Sequence, residues 1–299
     1  MAGSRPAAPQ QIADSAFAPA IGRPTFAPGS GPVVLVDEGH HNFHTIGGRY
    51  LAFARLLERD GYVVRPSSVR FTGPALRKGA ILVIANALHD TGQWVLPARS
   101  AFTPAEVSAV ARWVRAGGSL FLIVDHMPMP GAASSLAAAF GVRFYNGFAM
   151  SLPDSNSKFV FHRENGKLAD HAVTRGRSVD ERVDSVVSFT GQAFRIPPTA
   201  VPILTVDSNV SVLLTKTAWE FLPSTPKVSG KGLVQGALLQ YGKGRVAVFG
   251  EAAMFSAQLA GAHRSPMGMN DPKAPENPRF LLNVVRWLAG VAEPGIPPR

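Results

Sequence analysis

The chain contains no cysteine. That absence removes disulfides, thiolate metal ligands and a cysteine nucleophile. It leaves the compartment open, because reducing and oxidising surroundings both tolerate a chain without thiols. No apolar run reaches the length of about 18 residues that a membrane span needs, so none is expected. Glycine-rich phosphate motifs are also missing. There is no phosphate-loop pattern, and no Gly-x-Gly-x-x-Gly follows the first apolar run, so no nucleotide cofactor is expected. A Gly-x-Ser-x-Gly nucleophile elbow is absent too.

Acidic residues are scarce: 20 Asp and Glu stand against 30 Lys and Arg, giving a net charge of +10. Such an excess suits a nucleic-acid or anionic-surface partner. Here, however, the basic residues are scattered. No five-residue basic block occurs, and no basic stripe is interleaved with aromatics, so nucleic acid is not the expected partner.

What is present is enough for a substantial core: 299 residues, 46% of them hydrophobic. Residues 1–30 are rich in Pro, Ala, Gly and Ser and read as a flexible tail. They lack the apolar centre of a signal peptide. "MAGS" standing in place of a removed signal implies a periplasmic or secreted protein; otherwise the reading is cytoplasmic. Residues 31–299 read as a single domain.

Short apolar runs alternate with amphipathic stretches. Residues 33–36 read as a buried parallel strand; 62–66, 81–85 and 120–124 follow as the second, third and fourth strands, and 245–249 is the second strand of a hairpin. Tyr50, Leu51, Phe53, Ala54 and Leu57 recur at helical spacing, and Asp60-Gly61 closes that helix. "FTPAEVSAVARWVRAGG" opens on an N-cap, Thr103, with Pro104 at N1 and Glu106 completing a capping box. "GLVQGALLQYGKGRVAVFG" reads as a hairpin turning at Gly242-Lys243-Gly244. "NPRFLLNVVRWLAG" is a last amphipathic helix. Residues 150–230 are polar and weakly periodic, and read as a β-rich insertion or lid. The expected fold is α/β: a doubly wound, mostly parallel sheet with helices on both faces.

In such sheets ligands bind beyond the carboxyl ends of the strands. The first strand ends at Asp37, Glu38, His40, His41 and His44. The third ends at Asn86, His89 and Asp90, the fourth at Asp125 and His126, and a late one at Glu251. Five of the eight histidines fall at these ends. Polar loops and helix caps account for any one of these residues; their convergence is what marks a site.

Three chemistries fit. His40, His41 and His44 have spacings that can chelate a divalent metal such as zinc, manganese or iron. Glu38, Asp125 and Glu251 can supply paired carboxylates, with His44 or His126 as proton shuttle. Asn86, His89, Trp94, Gln258, Asn270 and Asn277 are candidate substrate contacts; Asn270 and Asn277 lead into the last helix, whose N-terminus favours an anionic group. Phe43, Met127, Phe148 and Met254 can wall an apolar pocket, and Trp94 can stack on a sugar ring.

"VVLVDEGHHNFHT", "LVIANALHD", "FTPAEVSAVARWVRAGGSLFLIVDHMP", "GEAAMFSAQ" and "NPRFLLNVVRWL" together resemble the class I glutamine-amidotransferase-like superfamily. The resemblance is closer to its bacterial branch of the domain-of-unknown-function 4350 type, and covers roughly residues 30–290. It implies a flavodoxin-like sheet. In true amidotransferases the strand after the Gly-Gly ends in a cysteine nucleophile; here that elbow carries Asp125-His126, so glutamine amidotransfer is excluded. Some relatives are non-catalytic domains that bind sugars or proteins. Two expectations follow: a hydrolase, with or without a metal, acting on a small-molecule or carbohydrate-like substrate, or a non-catalytic glycan- or partner-binding domain. Neither specifies an oligomeric state.

Overall fold

The computed structural model describes residues 11–92, 94–152 and 157–291. The first half runs β1 (Ile12–Ala13), β2 (Val33–Asp37), α1 (Leu51–Arg59), β3 (Val63–Ser67), α2 (Gly73–Leu76), β4 (Ile81–Ala85), α3 (Pro104–Arg115), β5 (Ser119–Ile123) and α4 (Met129–Ala138). The second half runs β6 (Phe148–Ser151), β7 (Phe159–His162), α5 (Ala172–Arg175), β8 (Ser185–Ser188), β9 (Val201–Thr205), β10 (Val210–Leu213), β11 (Lys227–Ser229), β12 (Val234–Tyr241), β13 (Gly244–Phe249), β14 (Ala257–Ala260), β15 (Ser265–Gly268) and α6 (Asn277–Leu288).

Seven strands form the central sheet in the order β3-β2-β4-β5-β13-β12-β9. The first five are parallel, and β12 runs antiparallel to both neighbours. Every residue of β4 and β5 is buried, as strands covered on both faces must be. Their side chains alternate between two cores. Ile81, Val83, Phe121 and Ile123 face α1 and α6 through Phe53, Leu56, Phe280 and Val284. Leu82, Ile84, Leu120 and Leu122 face α3 and α4 through Val110, Val114 and Leu136. The period of two thus divides one apolar run between two helical layers. The α/β sheet expected from the sequence is present.

Local signals set the element ends. The Thr103 hydroxyl accepts from Glu106 N at 3.3 Å, and Glu106 Oε2 accepts from Thr103 N at 3.0 Å, closing the capping box. The β12–β13 hairpin turns through Gly242 and Lys243. Gly242 has φ +61, and a Cβ there would lie 2.6 Å from the Arg115 carbonyl, so only glycine fits.

Two boundaries differ from the sequence reading. The N-terminal segment is docked from Gln11 onward: β1 pairs with β14, and Phe17, Ile21 and Phe26 pack against the core. Its Pro/Ala-rich composition hid three apolar anchors with no regular period. Residues 1–10 of the expected tail lie outside the described residues. The 150–230 stretch is not wholly an insertion, because β9 within it is an edge strand of the central sheet. The rest forms a β11-β10-β6 sheet and a β7-β8 pair.

A buried ion pair ties these parts together. Arg286 in α6 donates through Nη2 to Asp60 Oδ1 at 2.7 Å and through Nε to Oδ2 at 3.0 Å. Thr25 gives Asp60 two more hydrogen bonds, from its backbone N at 2.9 Å and its hydroxyl at 2.8 Å. The Asp60 carboxylate is fully buried. Removing one partner strands a buried charge, which costs about 3–5 kcal/mol. Arg286→Met is therefore expected to lower the unfolding free energy by about that amount in urea, and an unchanged midpoint would refute the assignment.

Candidate functional site

The strand order β3-β2-β4-β5-β13 reverses direction between β2 and β4, and the crevice at such a reversal is where ligands bind in open α/β sheets. Four adjacent strand ends border it: β2, β4, β5 and β13. Each delivers polar residues at the point where its apolar run stops.

The inner layer is built around Asn86, which follows β4 and holds φ +51, a conformation that asparagine tolerates better than most residues. Its Oδ1 accepts from Asp125 N at 2.8 Å, and its Nδ2 faces His44 Nδ1 at 3.3 Å. His44 must accept there, so its proton sits on Nε2 and the ring is neutral. Burial, aided by the Arg49 charge, lowers the His44 pKa to about 3. The ring also lies 4.7 Å from that of Tyr50, whose hydroxyl donates to the Ala252 carbonyl at 3.2 Å. Beside them is Glu251, fully buried, with Oε1 accepting from Ala253 N and Oε2 from Met254 N, both at 2.7 Å. Burial and the nearby Asp125 carboxylate raise the Glu251 pKa well above its ordinary value, against the pull of those amides.

In the outer layer Asp125 and His126 are themselves buried, while Trp219 and Phe43 beside them are exposed. Asp125 Oδ1 accepts from His126 N at 2.8 Å. The His126 ring uses Nδ1 on the Met127 carbonyl and stacks on Phe148, with centroids 4.4 Å apart and planes 13° apart. Trp219 packs against both rings at 4.5 and 4.7 Å. It remains 55% exposed and holds φ +69, a strained conformation for a bulky residue. Trp94 joins His126 to Phe43, and the Arg49 guanidinium lies 3.9 Å from the Phe43 ring centre. Arg49 and Asp125 interact through charge.

The three clustered histidines part company. His40 Nδ1 lies 2.9 Å from Asp37, and Nε2 lies 2.9 Å from Glu106 in the α3 capping box. With a carboxylate on each side, both nitrogens donate. Burial opposes the charged ring, but these two partners outweigh it and raise the His40 pKa. His41 is exposed at φ +48, and His44 is in the inner layer. The expected ligand set of His40, His41 and His44 is therefore corrected. His40 has no lone pair left for a metal, and among the described residues no three His, Asp or Glu side chains converge as ligands do.

Other candidates lie apart. Glu38 Oε1 accepts from Ile46 N and clasps its own loop. His89 is exposed and contacts the Ser100 carbonyl. Asn277 bonds both backbone groups of Val187, fixing α6 to β8. Gln258 reaches Ser256, and Asn270 reaches Asp14 and the Gln258 carbonyl, so both brace the strands near β14. These contacts are structural. A separate groove of about 170 Å³, lined by Lys158, Lys167, Asp207 and Asn209, lies among β6, β7, β9 and β10. Its lysines pair with Asp271 and Asp207.

Sequence reasoning missed Arg49, Tyr50 and Trp219. The loop after the first strand borders the reversal point, so "GGRY" carried a usable signal for the first two. Trp219 sits in the weakly periodic stretch and carried none.

No family model and no curated protein matches the chain. Solved structures do. The mmIFT52 N-terminal domain aligns at a TM-score of 0.57 with 14% identity, covering 86% of this chain and 96% of that one. A cytoplasmic protein of Salmonella typhimurium aligns at 0.51 with 14% identity, covering 86% and 98%. A ThuA-like protein of Parabacteroides merdae aligns at 0.48 with 11% identity, covering 90% and 94%. At 14% identity the first two likenesses show the fold alone.

The neutral state of His44 has a measurable consequence. Its folded pKa lies below its unfolded value, so the stability it contributes is complete above about pH 6.5 and is lost as pH falls from there toward 3. The slope from this group is at most about 1.4 kcal/mol per pH unit. Chemical denaturation of His44→Gln across that window is expected to show a flatter decline than the parent protein; parallel declines would contradict a buried neutral His44.

Proposed function

We propose that this cleft binds a sugar ring without transforming it. One observation carries the reading: the exposed rings of Trp219 and Phe43 and the half-buried ring of Trp94 gather around His126 and Arg49, and Arg49 interacts through charge with Asp125. Aromatic faces offer sugars an apolar platform, and a few placed polar groups fix orientation. The groups with strongly shifted pKa values do not face this platform. Glu251 has both oxygens committed to backbone amides, and His44 is buried beneath Asn86. Glycoside hydrolysis by the usual route needs two carboxylates flanking the bond. On this reading the cleft offers one, Asp125.

A second reading, hydrolysis of the bound sugar, has one observation in its favour. Glu251 is held toward its protonated form beside Asp125, the state a general acid requires. Membership of the domain-of-unknown-function 4350 branch belongs with these proposals; the motifs at the ends of β2, β4, β5 and β13 support it.

Titration with glycans separates the two. Trp219→Ala is expected to weaken binding about tenfold or more, equivalent to about 1.4 kcal/mol, with no reducing sugar released by the parent protein. Released sugar that disappears in Asp125→Asn would replace binding with catalysis.

A further inference from the structure

Within the binding reading, on which this step rests, we infer that the cleft selects sugars that carry a carboxylate, and that Arg49 is the group that recognises it. Arg49 lies just before α1, in the loop that borders the sheet's reversal point. Its guanidinium stacks on Phe43, 3.9 Å from the ring centre, and is partly buried. The ring contact holds the guanidinium carbon and uses none of the N–H groups on an oxygen acceptor. Among the described residues no hydrogen bond or ion pair takes up those N–H groups.

An arginine that loses hydration without gaining a partner is costly, and the cost is relieved when a ligand supplies an acceptor. The planar fork of a guanidinium matches a carboxylate with two parallel hydrogen bonds. Asp125, close enough to interact but not to pair, limits the charge the site accepts. Its charge opposes a doubly charged phosphate more strongly than a singly charged carboxylate. The net charge of +10 adds long-range attraction for a polyanionic glycan, although its basic residues are dispersed. The aromatic wall would take the sugar ring while Arg49 takes its carboxylate.

The test is an immobilised glycan array spanning neutral, uronate-bearing, sialylated and sulfated glycans. It is probed with the parent protein, Arg49→Gln, Arg49→Lys and Trp219→Ala, each first checked for an unchanged unfolding midpoint. The expected result is binding concentrated on carboxylated glycans, weakened tenfold or more by Arg49→Gln and by Trp219→Ala. Arg49→Lys should fall between, because it keeps the charge and loses the fork. Binding of neutral glycans that Arg49→Gln leaves unchanged, while Trp219→Ala abolishes it, would overturn this inference and keep the binding reading. Preference for sulfated glycans alone would overturn the choice of carboxylate. No binding across the array would overturn both.

Discussion

The carboxyl edge of the sheet depends on the side-chain amide of Asn86. A parallel sheet covered on both faces ends in backbone groups and turning loops that all need partners where little water reaches. Asn86 meets four of those needs. Its backbone N donates to the Ile123 carbonyl, and its carbonyl accepts from Phe43 N. Its side chain holds the Asp125 amide on one side and the His44 ring on the other. Three strand ends are thereby fixed by one residue. Its left-handed backbone is what aims the amide across the edge.

Burial then sorts the charges. Beneath the amide, His44 is neutral, and Glu251 is driven toward neutrality by the same desolvation. Above it, Asp125, His126 and Arg49 stand among aromatic rings. The Asp37–His40–Glu106 group lies to one side and follows the opposite logic. There an imidazolium survives burial because a carboxylate meets each nitrogen, and the Glu106 pKa falls to about 2. Desolvation alone would raise Glu106; the hydrogen bonds from Thr103, His40 and Phe71 prevail. Similar residue types in one neighbourhood thus carry different charges.

Much of this fold was legible because its signals are local. The apolar runs of β4 and β5, the Thr103 box and the Gly242 turn each declare themselves within a few residues. The gathering of Asn86, Asp125 and Glu251 at one edge of the sheet was legible as well, since polar residues followed where apolar runs stopped. The roles within it were not. Whether His40 binds a metal depends on Glu106, 66 residues away, and no spacing within "GHHNFH" carries that information. Nor does the pattern of β9 reveal that it joins the central sheet, because an edge strand with three half-exposed or exposed positions reads like any surface strand. Trp219 matters through its contact with His126, 93 positions earlier in the chain, by a packing that composition does not encode.

The Asp60–Arg286 clasp sets an order of events during synthesis. Asp60 ends the first helix, whereas its partner is made more than two hundred residues later. Until Arg286 has left the ribosome, burying Asp60 would leave its carboxylate with the Thr25 hydrogen bonds but without its paired cation. The N-terminal segment that Thr25 anchors to the same carboxylate lacks its full docking site for the same interval. The growing chain can form its early strands and helices, but closing the layer around α1 and α6 must wait. The fold therefore carries its own checkpoint, a charge that keeps one face of the sheet hydrated until the last helix arrives.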